Sequence, residues 1–371
     1  MKFIKVLAFA LCMCILVGAL TSCTNNLVNQ WEDYTADSDV YYEATPTITE
    51  IKKVLKERNI PEYWANDLKA AVEESTAKIN TAEDNYSAFI WYSDAHWSYS
   101  ARRSIDLIKF LQDYTNVRFV NFGGDIVSNN NRVEHSEIVA QLNSWRDETL
   151  KLFDHHSVVG NHDDDIPELK DKKDLYDFLL KDEEGKTTDT NNKFCYYVDN
   201  AAEKTRYIYL STGFDETTAD DLRFLVNTLD NTQKDWHIVV VSHIWFVYND
   251  TNTPTEGSVP EFAQPIFEIL DAYNARTSGK TKSIDYNFAS AGARVEFCIG
   301  GHTHVDFDFR TDGGIPVILN ETDSYHLRGG NKDIDETDEA SVSVIVANYD
   351  KNIIYVIRAG RGEGRTVDIQ N

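Results

Sequence analysis

A chain of 371 residues that is 42% hydrophobic and 12% aromatic can build a large core, and it lacks the composition of a disordered chain. Its formal net charge of −25 excludes the basic footprint that non-specific nucleic-acid binding requires and argues against electrostatic adhesion to anionic lipid. If such a chain handles phosphate, something positive must sit in the site, and a metal ion is one answer.

In chain order, Lys2 and Lys5 precede an apolar run from Val6 to Leu20. The run is short for a bilayer span and reads as a secretory signal over residues 1–22. Leu20-Thr21-Ser22-Cys23 resembles a bacterial lipobox. That resemblance implies lipidation at Cys23 and an exported protein, held at a membrane only through this anchor on the periplasmic or cell-surface side. Of the other cysteines, Cys12 and Cys14 fall in the signal. Cys195 and Cys298 sit in apolar, strand-like runs and are expected as buried free thiols, although an exported compartment permits a disulfide.

Residues 23–46 are polar and irregular, a tether. Residues 47–81 form a helical extension: "TITEIKKVLKERN", then "PEYWANDLKAAVEESTAKIN" with Pro61 at a first helical position. From residue 82 to 371 one domain is expected. "YSAFIWYS", "VRFVNFGG", "HHSVVG", "KFCYYVD", "RYIYLST" and "WHIVVVS" read as strands. Between and after them, "SARRSIDLIKFLQDYT", "RVEHSEIVAQLNSWRDETLKLF", "ELKDKKDLYDFLLKDE", "TADDLRFLVNTL" and "PEFAQPIFEILDAYNAR" read as helices. The last part turns to strands: "VEFCIG", "VDFDFR", "IPVILN", "SVSVIVAN" and "IIYVIRA". This is an α/β (α+β) pattern in one compact domain.

Five short polar motifs fall where strands end: "SDAH" with Asp94 and His96, "GGD" with Asp125, "GNHD" with Asn161, His162 and Asp163, "VVSH" with His243, and "GGHTH" with His302 and His304. Sites in open α/β sheets gather at the carboxyl ends of strands. In extended backbone, residues i and i+2 face one way, so His302 and His304 can converge on one object. Imidazole nitrogen with carboxylate and amide oxygen suits divalent Mn, Fe, Zn or Ni. No cysteine joins the set, which argues against a structural zinc site.

In this order the motifs resemble the calcineurin-like metallophosphoesterase superfamily, whose pattern is D-x-H, G-D, G-N-H-[DE], H and G-H-x-H. The resemblance covers about Ser87 to Asp308. It implies a four-layer β-sandwich flanked by helices, with the site at one sheet edge and the final strands as its second sheet. It implies two divalent metal ions: Asp94, His96 and His304 on the first, Asn161, His243 and His302 on the second, and Asp125 bridging both. A carboxylate can bridge two cations, which an imidazole nitrogen cannot. The implied activity is hydrolysis of a phosphomonoester or phosphodiester by a metal-bridging hydroxide, since paired ions acidify water and hold phosphate oxygens. His162 faces the substrate and its leaving group, and acidic Asp163 beside it favours a protonated ring.

Departures narrow the resemblance. Ser128 stands where purple acid phosphatases carry a tyrosine ligand. "GNHDDDI" differs from the "GNHEFD" of extracellular 5′-nucleotidases, and no separate nucleotide-binding domain follows "GGHTHVDF". Trp97, Tyr99, Trp245 with Phe246, and Arg102 with Arg103 are candidates for substrate contacts, the alternatives being core packing and a solvated helix start. Asp306 and Asp308 read as the outer face of a strand, and His155 and His156 carry no assigned role. The expected substrate is a small-molecule or lipid-head-group phosphoester. An exported nuclease or nucleotide-specific hydrolase is the alternative within enzymes, and acidity and export argue against a DNA-repair nuclease. A non-catalytic surface scaffold is the alternative outside enzymes. It is disfavoured because His162 and all seven ligand positions are occupied.

Overall fold

Thr47 starts the first helix, α1 (Ile48–Glu57), with a capping box. Its hydroxyl accepts from the Glu50 amide, and the Glu50 carboxylate accepts from the Thr47 amide at 2.7 Å. Ile51 and Leu55, one turn apart, are the buried stripe. Pro61 precedes a 3₁₀ turn that runs into α2 (Ala65–Asn80), which buries Leu68, Ala71, Val72 and Ile79. The computed structural model describes residues 45–82, 85–96, 101–115, 117, 119–127, 140, 143, 145–147, 154–164, 172–181, 185–188, 192–249, 256–320, 326–327, 330–331 and 336–370. The expected signal, nearly all of the expected tether, Cys23, Trp97, Tyr99, Ser128 and most of the expected helix around "RVEHSEIVAQLNSWRDETLKLF" lie outside them. Among the described residues no helix is long and apolar enough to cross a membrane.

Onward in the chain come β1 (Tyr86–Tyr92), α3 (Ala101–Tyr114), β2 (Phe119–Phe122), β3 (Asp154–Ser157), the single turn α4 (Asn161–Asp164), α5 (Lys172–Leu179), β4 (Tyr196–Asn200), β5 (Thr205–Tyr209), α6 (Ala219–Asp230) and β6 (His237–Val241). A small hairpin of β7 (Val247–Tyr248) and β8 (Gly257–Ser258) leads to α7 (Gln264–Asn274). Then follow β9 (Ser278–Thr281), β10 (Ile284–Asn287), β11 (Arg294–Gly300), β12 (Phe307–Arg310), β13 (Pro316–Leu319), β14 (His326–Leu327), β15 (Gly330–Asn331), β16 (Ser341–Asn348), β17 (Ile353–Gly360) and β18 (Arg365–Asp368).

Among the described residues two six-stranded sheets carry the fold, in the orders β18-β17-β16-β1-β2-β3 and β12-β13-β11-β6-β5-β4. The final strands therefore do not make the second sheet. β16 pairs antiparallel with β1, covering an edge that β1 would otherwise expose, and β17 and β18 continue that first sheet. The second sheet comes from the middle of the chain.

Period-2 alternation sorts each strand of the second sheet between two cores. Val239, Val241, Phe297, Ile299 and Ile318 face the first sheet. There Phe89 meets Tyr207 edge-on at 5.8 Å and Phe297 at 6.4 Å. Ile238, Val240, Cys298, Val317 and Leu319 face the other way, packed with Leu222, Leu225, Ile266 and Leu270 of α6 and α7. On the first sheet, α2 packs on β16 and β17 and α3 on β16. The result is the expected four layers, helix, sheet, sheet, helix.

Three details depart from the sequence reading. Asp306 and Asp308 are not on a solvated outer face. Asp308 pairs in register with inward-facing Ile318, and both carboxylates accept from arginines of the β17–β18 hairpin. Arg103 is committed to Glu339 (3.2 Å), a nearly inaccessible carboxylate that also accepts from Tyr63 Oη and Trp64 Nε1. The β9–β10 hairpin was not legible, because Lys282 takes the left-handed turn position (φ 49°) where asparagine or glycine is the usual signal. Cys195 and Cys298 are free and buried.

Candidate metal centre

Each polar motif begins where a strand stops: "SDAH" after β1, "GGD" after β2, "GNHD" just beyond β3, His243 beyond β6 and "GGHTH" at the end of β11. β1, β2 and β3 are parallel neighbours in one sheet, and β6 and β11 in the other. Past the strand ends the loops remain tied by backbone bonds. Asp94 N donates to Gly124 O (2.9 Å), His96 N to Asp125 O (3.0 Å) and Gly301 N to His243 O (3.1 Å). The site thus rests on continued ladder pairing.

The turns are sharp. Asp94 (φ 54°), His96 (42°), Asp125 (53°), His302 (68°) and His304 (55°) all occupy the left-handed region, which non-glycine residues rarely take and which gathers at functional sites. Two glycines allow the loops to meet. A Cβ on Gly160 would lie 2.1 Å from Asp125 N, and one on Gly301 would lie 2.3 Å from Asp94 Oδ2.

Two groups of donors result. Asp94, His96, Asp125 and His304 offer ligand atoms all within 4.8 Å of one another, as do Asp125, His243 and His302. Asp125 belongs to both. Its Oδ2 lies 3.2 Å from His243 Nε2 and 3.8 Å from His96 Nε2. His304 Nε2 is 3.2 Å from Asp94 Oδ1 and 3.3 Å from His96 Nε2. Asn161 Oδ1 stands 3.0 Å from His302 Nδ1, beside the second group.

Neighbours orient these donors. His302 N donates to Asp94 Oδ1 (3.1 Å), Ser93 Oγ donates to Asp94 Oδ2, and His162 N donates to Asp125 Oδ1 (2.8 Å). His243 is the most telling. It is fully buried, and its Nδ1 donates to Gly123 O at 2.6 Å. That bond fixes the tautomer, so in the neutral ring the Nε2 lone pair confronts the Asp125 carboxylate. Two acceptors in contact demand a cation between them, a proton or a metal ion.

The electrostatics agree. For His243, burial alone would lower the pKa, but the Asp125 charge and hydrogen bond, with Asp94 behind them, raise it to about 10. Burial is the main cause holding His96 near 4 and His302 near 3. Burial works against the charged form of Asp94, yet the His304 bond and the His243 and His304 charges bring it down to about 2. Asp125 is depressed for the same kind of reason, despite its burial. Anionic carboxylates converge here with the neutral rings of His96 and His302 and with His243, whose Nε2 takes a proton where no metal ion stands between it and Asp125. This nitrogen and oxygen set fits borderline to hard divalent ions.

His162 belongs to neither group. Its ring sits edge-on to His96 with centroids 5.0 Å apart, and its Nδ1 is buried without a partner. Asp163 does not serve His162 as expected. Its buried carboxylate accepts from Asp125 N (3.0 Å), Ile126 N (2.9 Å) and Gly160 N (2.9 Å), clamping the "GGD" loop to the "GNHD" loop. Burial first, and then the Asp125 charge, raise it to about 7 against those bonds. It is a positioning residue.

The expected substrate contacts fare unevenly. Trp245 is fully buried on the far side of the second sheet. It stacks on Phe267, and its indole N–H donates to Ile299 O at 2.9 Å, so it is packing and not a pocket wall. Phe246 packs against Phe307 and Phe309. Arg102 stands exposed on the first turn of α3. The residue that sequence reasoning missed is Tyr248 on β7. Its hydroxyl donates to Thr303 O, and its ring lies 6.3 Å from that of His302. No spacing rule marks it.

Comparison with known proteins follows the same line. The family model for calcineurin-like phosphoesterases matches residues 88–306. No curated protein matches the chain. Among solved structures, a dimetal phosphatase from Danio rerio shares 13% identity with a TM-score of 0.54, covering 76% of this chain and 99% of that one. The E. coli phosphoesterase Yfce shares 14% identity with a TM-score of 0.32, covering 76% of this chain and 100% of its own. With more than half of its residues matched and its strand-end motifs gathered around one shared aspartate, the chain belongs to the calcineurin-like phosphoesterase family.

Proposed function

We propose that this chain hydrolyses a phosphomonoester or phosphodiester of a small molecule or lipid head group, using two divalent ions drawn from Mn, Fe, Zn and Ni. The supporting observation is Asp125, the one residue common to both donor groups. Asp94, His96 and His304 would hold one ion, and His243, His302 and Asn161 the other. When bound, such a pair neutralises phosphate charge and acidifies water, which an acidic chain cannot do by itself.

The chain's own residues do the rest. The His162 amide fixes the orientation of Asp125. With Nδ1 enclosed, the His162 ring has Nε2 left to meet the substrate and pass a proton to the leaving oxygen. Asp163 and the Gly123 carbonyl keep Asp125 and His243 in place. The test is the purified chain, stripped and reloaded separately with Mn, Zn, Fe and Ni, assayed on monoesters, diesters, nucleotides and phospholipid head groups. Hydrolysis with at least one metal is expected. A chain that holds two ions and cleaves none of these would overturn the proposal.

The reading extends to location: an exported protein anchored at Cys23, supported by the signal-like run and Leu20-Thr21-Ser22-Cys23. Cys23→Ala should leave the membrane fraction or accumulate as uncleaved precursor. An unmodified, soluble wild type would remove the anchor.

A further inference from the structure

The loop that carries His302 and His304 is held from both sides. At its start Gly301 N donates to His243 O, and in its middle Tyr248 donates to Thr303 O. Its exit is Asp306, two residues after His304 and the last residue of the family match. There the carboxylate meets the hairpin between β17 and β18, which lies wholly outside that match.

The contacts at the exit are dense. Asp306 Oδ1 accepts from Arg358 Nη2 and from Arg365 Nη1 (2.8 Å), and Oδ2 accepts from Glu363 N (3.2 Å). Arg365 also forks onto Asp308, at 2.7 and 2.8 Å, and donates to Leu319 O at 2.9 Å. Arg358 Nη1 donates to Ser341 Oγ at 2.9 Å. The hairpin is seated so closely that a Cβ on Gly362 would lie 2.7 Å from Asp306 Oδ2. The Arg358 side chain is only 4% exposed, so this is no loose surface pair.

Backbone in the left-handed region persists only where its surroundings over-determine it, and both histidines of this loop are there. We infer that Arg358 and Arg365, acting through Asp306, are positioning residues for His302 and His304, and so set the metal affinity of the centre from a hairpin beyond the family motifs. This rests on the metal reading of the site. The competing account is that the arginines only join the open edges of the two sheets. Asp308 separates the two accounts, because it shares Arg365 but lies further from the loop.

The experiment measures metal dissociation constants by chelator competition, and thermal unfolding of the metal-free chain, for wild type, Arg358→Gln, Arg358→Lys and Asp308→Asn. Arg358→Gln should weaken metal binding about 10–100-fold, the usual cost of losing a group that orients a ligand. Arg358→Lys, which keeps the charge and loses the fork, should fall between and serves if Arg358→Gln fails to fold. Asp308→Asn should lower the unfolding temperature while affinity stays within about twofold. Wild-type affinity in the Arg358 variants would overturn the inference. So would an equal loss of affinity in Asp308→Asn at equal loss of stability. A wild type that binds no metal overturns the metal reading itself, and this inference with it.

Discussion

At the scale of the residue, the site turns on atoms aimed by their neighbours. Asp125 stands in both donor groups, so its loss removes a ligand from each. Asp125→Ala should lose more metal than His96→Ala or His302→Ala, each of which touches one group only. Elemental analysis decides, and full metal content in Asp125→Ala would break the shared-ligand assignment. His162 gives the contrasting case. His162→Ala keeps the backbone amide that orients Asp125, so metal content should hold while turnover drops about 10²–10⁴-fold. The drop should be largest for alkoxide leaving groups and smaller for an activated aryl ester. Equal defects across that series would leave His162 orienting phosphate and not donating a proton. These residue types were legible beforehand, because the motifs name their donors. That Asp163 would bind three backbone amides was not, since partners distant in sequence leave no spacing signal.

At the scale of the element, strand ends make the site, and their close meeting depends on absent side chains. Gly160→Ala would put a Cβ 2.1 Å from Asp125 N, and backbone on both sides has little room to move. The expected cost is about 1–3 kcal/mol of stability, together with lower metal affinity. Unchanged unfolding and metal binding would show that the loops can part. The helices were the easiest elements to foresee, since α1 has a capping box and a one-face apolar stripe and α2 follows a proline. The short β9–β10 hairpin and β18 were not foreseen. Lys282 in a left-handed turn violates the usual residue preference, and four residues such as Arg365–Asp368 alternate too briefly to register.

At the scale of the molecule, a half-buried carboxyl that bonds to both sheets makes stability depend on pH. Glu203, between β4 and β5, accepts from Tyr207 Oη (3.0 Å) and Ala88 N (3.4 Å), linking the two sheets. Burial raises its carboxyl from the usual 4.5 to about 7. The folded state therefore holds the proton more tightly than the unfolded chain. The stability it contributes is present at low pH and is lost as pH rises from about 4.5 through about 7. Glu203→Gln keeps an acceptor and removes the charge. It should unfold about 2–6 °C above wild type at pH 8, with the gap closing by pH 5. A gap constant across pH would show that the carboxyl does not titrate in the fold.

The sequence by itself determined the α/β class, the helices with strong periodicity, the five strand-end motifs and the donor types they bring. Each is a local pattern: period 2, period 3.6, or a named residue at a fixed offset from a strand. Tertiary structure alone decided which sheet the last strands join, that Asp306 and Asp308 face inward to arginines, that Trp245 is packing, and that Tyr248 and Arg358 reach the histidine loop. Those outcomes depend on pairings between residues tens to hundreds of positions apart. A β-strand's sequence states which of its faces is apolar, but not which neighbour its edge will meet.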